Sequence, residues 1–491
     1  MCKKWGFLFK QIHTMKSKIL ALILWCCCTP SLEAKVKLPS LIGDNMVLQQ
    51  QAEVRLWGSA TPQAEVRVTP SWSGQSAACR ADREGNWQLT FSTPEAGYTP
   101  YEITFDDGEK TTLKNVLVGE VWLAAGQSNM QMPLKGFGGC CVQGGIEAAI
   151  GAATTAPGVR MFNVPMRQSY TPQEACGGQW MTTRSFTDVM EFSATAFYFA
   201  SLLSNALQVP VGIVNCSYGG TRVESWLSRD ILQGYPDIPT DSAAISHVQP
   251  DYERPMLTYN GMFRAVRRCT VKGIVWYQGC SNVGSYDTYA DRLATMVKHW
   301  RGELALGDLP FYFVEIAPYD YGSGDRANGA RLREAQFKAQ SLIPNSGMIS
   351  TNDLAEPFER YNIHPRRKQP VGSRLAYMAL NRTYGKRQVC CEGPQYKSWT
   401  AKGNEAWVAF DHLDMGICRN YDIRGFEVAG EDRVFHPADK VWLHWQTNEL
   451  VVSSEKVARP VAVRYCFRDF LPGTLIGGNE LPAVPFRTDD W

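Results

Sequence analysis

Val121-Trp122-Leu123-Ala124-Ala125-Gly126-Gln127-Ser128-Asn129-Met130 is the stretch that decides the fold. Its first five residues are apolar without interruption, as in a strand buried on both faces. The run ends on a glycine and delivers Ser128 on a tight, small-residue turn at the end of a sheet. A hydroxyl is a poor nucleophile at neutral pH. It becomes useful when a base and an oxyanion hole converge on it. Those parts have to come from other strand ends of the same sheet.

Outward from this stretch, residues 116–387 alternate apolar strands with amphipathic helices. Strands are expected at 211–215, 273–277, 311–315 and 347–351, and helices at 193–208, 289–301, 330–342 and 369–384. In the last helix Val371, Leu375, Met378 and Ala379 fall on one stripe. The alternation predicts an α/β domain, a parallel sheet with helices on both faces and its chemistry beyond the carboxyl ends of the strands. Residues 35–115 carry short alternating runs such as Glu65-Val66-Arg67-Val68 and Trp87-Gln88-Leu89-Thr90-Phe91, between turn signals such as Glu84-Gly85-Asn86. They predict an N-terminal β-sandwich. Residues 388–491 return to β patterns, as in Ala406-Trp407-Val408-Ala409-Phe410 and Lys440-Val441-Trp442-Leu443-His444. They predict a C-terminal β region packed on the catalytic layer.

With 491 residues, 44% of them apolar and 20% charged, the chain reads as a packed globular protein of two or three domains. A net charge of +2 gives no electrostatic support for a nucleic-acid or anionic-membrane partner. Lys16 and Lys18 precede the apolar run Ile19–Trp25, and Leu32-Glu33-Ala34 follows. Charged, apolar, then small is the order of a secretory signal, so residues 1–34 predict export to the periplasm or the exterior. The apolar run is too short to span a membrane. Cys26-Cys27-Cys28 offers a lipid-anchored alternative, against which Trp25 stands where lipid attachment wants a small residue. Eleven cysteines remain beyond residue 34, an odd number without a CxxC spacing. This argues against a structural zinc site and for buried small hydrophobes plus one to three disulfides.

Three further strand ends carry groups that suit Ser128. The strand at 211–215 runs into Cys216-Ser217-Tyr218-Gly219-Gly220-Thr221, whose glycine N–H groups suit a developing oxyanion. An ordinary strand-to-helix turn is the plainer reading. The strand at 273–277 runs into Gln278-Gly279-Cys280-Ser281-Asn282, where the Asn282 amide is either a further donor or a helix cap. The strand at 347–351 runs into Asn352-Asp353-Leu354 and then Asn362-Ile363-His364-Pro365. Of seven histidines, His364 alone lies in a strand-following loop of the α/β layer. A neutral imidazole is the natural base for a serine.

Taken together, Gly126-Gln127-Ser128-Asn129-Met130, Ser217-Tyr218-Gly219-Gly220-Thr221, Trp276-Tyr277-Gln278-Gly279-Cys280-Ser281-Asn282 and Ile363-His364-Pro365 resemble the four blocks of the SGNH hydrolase clan, and within it the sialate O-acetylesterase family. The flanks Val223-Glu224-Ser225-Trp226, Val371-Gly372-Ser373-Arg374-Leu375-Ala376 and Pro485-Phe486-Arg487-Thr488-Asp489 are similar too. The resemblance implies a flavodoxin-like parallel sheet and removal of O-acetyl groups from a sugar, with no metal or organic cofactor. It makes Ser128 the nucleophile and His364 the base. The N–H of Ser128, Gly219 or Gly220 and the Asn282 amide would hold the oxyanion.

Two positions depart from the family pattern. Cys280 stands where the third block usually has Glu, and Tyr361 stands where much of the clan has Asp, three residues before the histidine. Asp353, Glu356 and Glu359 are substitute acids, with Asp353 the named candidate because it directly follows the strand. The alternative is a Ser–His pair whose imidazole is oriented by a backbone carbonyl. Gln127, Arg222, Glu224 and Gln278 are candidate substrate-binding groups, and Arg222 would suit a sialic-acid carboxylate. The expected partner is an acetylated sugar or glycan. Acetylated xylan or another polysaccharide is the second reading, and a non-catalytic carbohydrate-binding protein is the reading from another class.

Overall fold

The computed structural model describes residues 35–420 and 422–491. The leader expected over residues 1–34 lies outside the described residues. The larger of two compact units holds residues 39–56, 90–101 and 114–491. At its centre is a mixed α/β layer. Its strands run in the order Ser346–Ile349, Phe311–Val314, Gly273–Tyr277, Lys110–Gly126, Val211–Ser217, Val159–Asn163 and Trp180–Thr182. The first six are mutually parallel, and Trp180–Thr182 runs antiparallel at the edge.

Strand side chains alternate between two faces, and each face has its own helices. Trp122, Ala124, Ile213, Val275, Tyr312 and Val314 share one core with the helices Ala194–Leu207 and Lys368–Met378. On the other face Trp276 meets Trp300 of the helix Tyr286–Leu304, with ring centroids 5.6 Å apart. Trp226 closes that cluster, 5.8 Å from Trp276. Each of these fully buried large side chains contributes roughly 2–3 kcal/mol by leaving water. The helix expected over 369–384 is α-helical only to Met378 and continues as one π-helical turn, Ala379–Thr383.

The C-terminal region forms two four-stranded sheets around a core that includes Val408, Phe410, Val428, Leu450, Val463 and Phe486. It sits in the same unit as the catalytic layer. Arg487 pairs with Glu334 at 3.0 Å, and Asp469 accepts the Gly329 N–H at 2.7 Å. The N-terminal region is divided differently from the expectation. Val47–Gln49 pairs in parallel with Leu117–Gly119 in the larger unit. Residues 57–89 and 102–113 belong to the smaller unit. There Val66 pairs with Cys79, and Val68 with Phe105, which packs on Trp87.

All eleven described cysteines are free thiols, so the expected one to three disulfides are absent among the described residues. Cys216, Cys280 and Cys466 are buried singly in separate elements and act as small apolar side chains. No helix among the described residues is long and apolar enough to cross a membrane.

Candidate active site

Backbone register brings the site together. Gly126 pairs with Ser217 on one side and with Tyr277 on the other, so three turns leave the sheet at one level. Gly126 has φ +138°, and a Cβ there would lie 2.2 Å from the Tyr277 carbonyl oxygen. Only glycine fits this turn. The Gln127 side-chain oxygen accepts the N–H groups of Gly279 at 2.7 Å and Cys280 at 3.0 Å. That bond welds the serine turn to its neighbour. Gln127 is buried, and its side-chain oxygen is committed to these two bonds.

Ser128 opens the short helix Ser128–Gln131, and its Oγ lies 2.8 Å from His364 Nε2. The histidine loop is anchored to the same helix, since Asn129 Nδ2 donates to the Ile363 carbonyl at 2.9 Å. Glu359 braces the loop by accepting the N–H groups of Glu356 and Arg366, both at 2.9 Å. Phe137 stands edge-on to the imidazole, 5.2 Å between centroids. Burial, reinforced by the Lys368 charge, pushes the imidazole down to about 4. The ring is therefore neutral at pH 7, and Nε2 can accept the serine proton.

The expected acids are elsewhere. Arg374 grips both Asp353 oxygens, at 2.7 and 2.6 Å. Glu356 and Glu359 are used in capping the turn Pro357–Glu359. Tyr361 is 74% exposed beneath the Arg360 guanidinium. Among the described residues neither a carboxylate nor a backbone carbonyl accepts from His364 Nδ1. The base is positioned by its loop, by Phe137 and by the Ser128 contact.

Gly219 lies against the nucleophile, where a Cβ would be 3.4 Å from Ser128 Cβ. Its N–H already has an acceptor, the Gln131 side-chain oxygen at 2.8 Å. Gln131 Nε2 in turn donates to Met166 Sδ at 3.0 Å. Gln131 was not singled out from sequence. Its position three residues after Ser128, one helical turn on, was the available signal. Gly220 has φ +77°, and a Cβ there would strike the Tyr252 ring. Among the described residues nothing accepts the N–H groups of Ser128 and Gly220.

Asn282 is 1% exposed, and its side chain faces a buried network. Its amide donates to Glu224 at 3.0 Å, and its oxygen accepts from Val223 N at 3.0 Å and Gln278 Nε2 at 2.8 Å. Glu224 also pairs with buried Arg292 at 2.5 Å. Gln278 is fully buried, donating to the Thr221 carbonyl at 3.0 Å and accepting the Tyr289 hydroxyl at 3.0 Å. Glu224 and Gln278 thus support the glycine loop from beneath, because a buried ionic or polar group keeps its place only when its bonds are satisfied. Arg222 alone among the four candidate substrate groups is partly open, 27% exposed, with Nη2 bound to Ser285 Oγ at 2.6 Å. Beside the serine turn, burial pushes the Cys280 thiol up, so it is protonated and not a nucleophile at neutral pH.

Residues 118–381 match the family profile described as carbohydrate esterase, sialic acid-specific acetylesterase. The chain is similar to the sialate O-acetylesterase of Pongo abelii, 29% identical over 95% of both chains. It is also similar to that of Homo sapiens, 30% identical over 77% of this chain and 76% of the relative. A solved carbohydrate acetylesterase from Xanthomonas citri superposes with a TM-score of 0.81 at 33% identity, over 93% of this chain and all of the other. The chain belongs to the sialic acid-specific acetylesterase family of carbohydrate esterases.

Proposed function

We propose that this esterase removes O-acetyl groups from sialic acids through an acetyl-serine intermediate. The observation that carries the reading is the 2.8 Å contact between Ser128 Oγ and a neutral His364 Nε2 at the carboxyl edge of a parallel sheet. Ser128 attacks the acetyl carbonyl while His364 takes its proton. The N–H groups of Ser128, Gly219 and Gly220 receive the oxyanion, Gly219 once Gln131 has swung away. Each such donor is worth roughly 3 kcal/mol in the transition state. The imidazolium returns the proton to the sugar oxygen, which leaves. Water, deprotonated by the same imidazole, then releases acetate. Asn282 acts from behind, holding Glu224 under the glycine loop, and Arg222 is the group in place for a substrate carboxylate.

The finer architecture we infer is an SGNH-type, flavodoxin-like catalytic domain, supported by Ser, Gly, Asn and His blocks each lying past its own parallel strand. Export to the periplasm or exterior rests on the signal-like order of residues 1–34. Acetylated xylan or another polysaccharide is the second substrate reading. The Xanthomonas citri protein, 33% identical, is described as a carbohydrate acetylesterase with no sugar named, which fits either substrate. Purified protein is expected to release acetate from a small aryl acetate, and Ser128→Ala to abolish release. Comparing acetylated sialic acid with acetylated xylan assigns the substrate. Sugar binding without acetate release would make the chain a carbohydrate-binding protein and overturn the esterase mechanism.

A further inference from the structure

Lys368 is the first residue of the helix Lys368–Met378 and is 1% exposed. An ammonium taken out of water is costly unless it is bonded and paired. Its Nζ donates to Asn129 Oδ1 and lies 5.8 Å from the centroid of the Tyr277 ring. Among the described residues no carboxylate forms an ion pair with it. Glu359 contributes its field from a distance, with its oxygens already bonded to Glu356 N and Arg366 N. The protonated Cys280 thiol beside it supplies no full negative charge. Asn129 passes the contact on in two directions. Its Nδ2 holds the Ile363 carbonyl, and its own carbonyl accepts the Thr195 hydroxyl at 3.1 Å. One amide, gripped by one buried ammonium, thus bridges the residue after the nucleophile and the residue before the base.

We propose that Lys368 is a positioning residue for the Ser128–His364 pair: through Asn129 it fixes the loop that presents the imidazole, and its charge, four residues along the chain from His364, opposes a second positive charge there. The inference rests on Ser128 and His364 acting as nucleophile and base. Electrostatics support it from both sides. The Lys368 charge adds to burial in lowering His364, and burial pushes Lys368 itself down to about 7. The groups that face the ammonium are Glu359 and His364 from the histidine loop, Cys280 and Tyr277 from the neighbouring strand end, Cys140 from the loop after the nucleophile helix, and Asn129.

The test is the pH profile of kcat/KM on an aryl acetate, with the full chain, for wild type, Lys368→Met, Lys368→Arg and Cys280→Asp. Lys368→Met fills the space without charge. Turnover is expected to fall about tenfold or more from lost positioning, and the acid limb to move up by about half a pH unit or more. Lys368→Arg keeps the charge and is expected to leave the limb in place. Cys280→Asp sets a carboxylate beside the ammonium while the Asn129 contact stays, so the limb is expected to rise again. If Lys368→Met does not fold, as judged by circular dichroism, the other two variants decide. An unmoved limb in Cys280→Asp, or in a folded Lys368→Met, overturns the proposal. So does a shift in Lys368→Arg as large as the one in Cys280→Asp. Failure of the underlying reading is separate and visible: Ser128→Ala or His364→Ala would keep wild-type turnover.

Discussion

Gln131→Ala is expected to make this enzyme faster. The Gln131 side-chain oxygen sits 2.8 Å from the Gly219 N–H, a donor that lies against Ser128 and suits the oxyanion. Substrate has to displace it. A neutral hydrogen bond of this kind is worth about 0.5–1.5 kcal/mol net, so removing the competitor raises kcat/KM by roughly 2- to 13-fold. The donor returns roughly 3 kcal/mol once it meets a developing oxyanion. The wild-type enzyme therefore turns over despite the occupied donor. Gln131→Glu is expected to change activity in the opposite direction, because a carboxylate holds the same N–H about twice as strongly. Gln131 is half-buried and touches the exposed Met166, so neither change is expected to alter the melting temperature by more than a few degrees. The assay is acetate release from an aryl acetate and from acetylated sialic acid, with kcat and KM resolved. A more than tenfold loss in Gln131→Ala at unchanged melting temperature would refute the reasoning and make Gln131 a required part of the site.

Three further outcomes are expected. With His364 held at about 4, the neutral base is lost only as pH falls through that value. About 90% of the neutral-pH kcat/KM is expected at pH 5, where an ordinary imidazole would leave about 3%. A stopped-flow or pH-stat profile reads the difference. Asp353→Asn is expected to lower stability by about 3–5 kcal/mol, since it breaks a pair 8% and 13% exposed and strands Arg374. Turnover of the folded fraction should stay within about threefold, against a loss of about a thousandfold or more in His364→Ala. Equal losses would make Asp353 the catalytic acid after all. Glu224→Gln, which leaves Arg292 with Asp237 as its one carboxylate partner among the described residues, is expected to lower the melting temperature together with kcat, and calorimetry beside kinetics checks both.

The parallel layer was legible because its strands are continuous apolar runs, and continuity is what burial on both faces requires. Gly273–Tyr277 appears with the expected ends, and Val211–Ser217 and Phe311–Val314 within two residues. Val159–Asn163 was not legible, because Arg160 interrupts it. That arginine is buried and satisfied by the Asn45 carbonyl and the Asn115 side chain, partners far away in sequence. The same limit governs the site. Ser128 and His364 stand out because few residue types can do their work, each just past a strand. Gln127, Glu224 and Gln278 drew attention as polar residues beside those motifs. What they do is decided by distant partners such as Arg292 and Tyr289. Lys368 resembles any helix-start lysine until the Asn129 contact is seen.

The sheet order carries one more consequence. The nucleophile follows an interior strand, whereas the base follows Ser346–Ile349, which is the sheet's outer edge. Edge strands have hydrogen-bonded neighbours on one side only and open at lower free energy than the interior. Catalytic competence therefore reports on an edge strand of the layer, and turnover becomes a sensor of local opening there. On warming, acetate release should fade while the core still gives a native circular dichroism signal, and return on cooling. The active site is then a thermometer for one margin of the protein, sensitive to changes that bulk melting does not register.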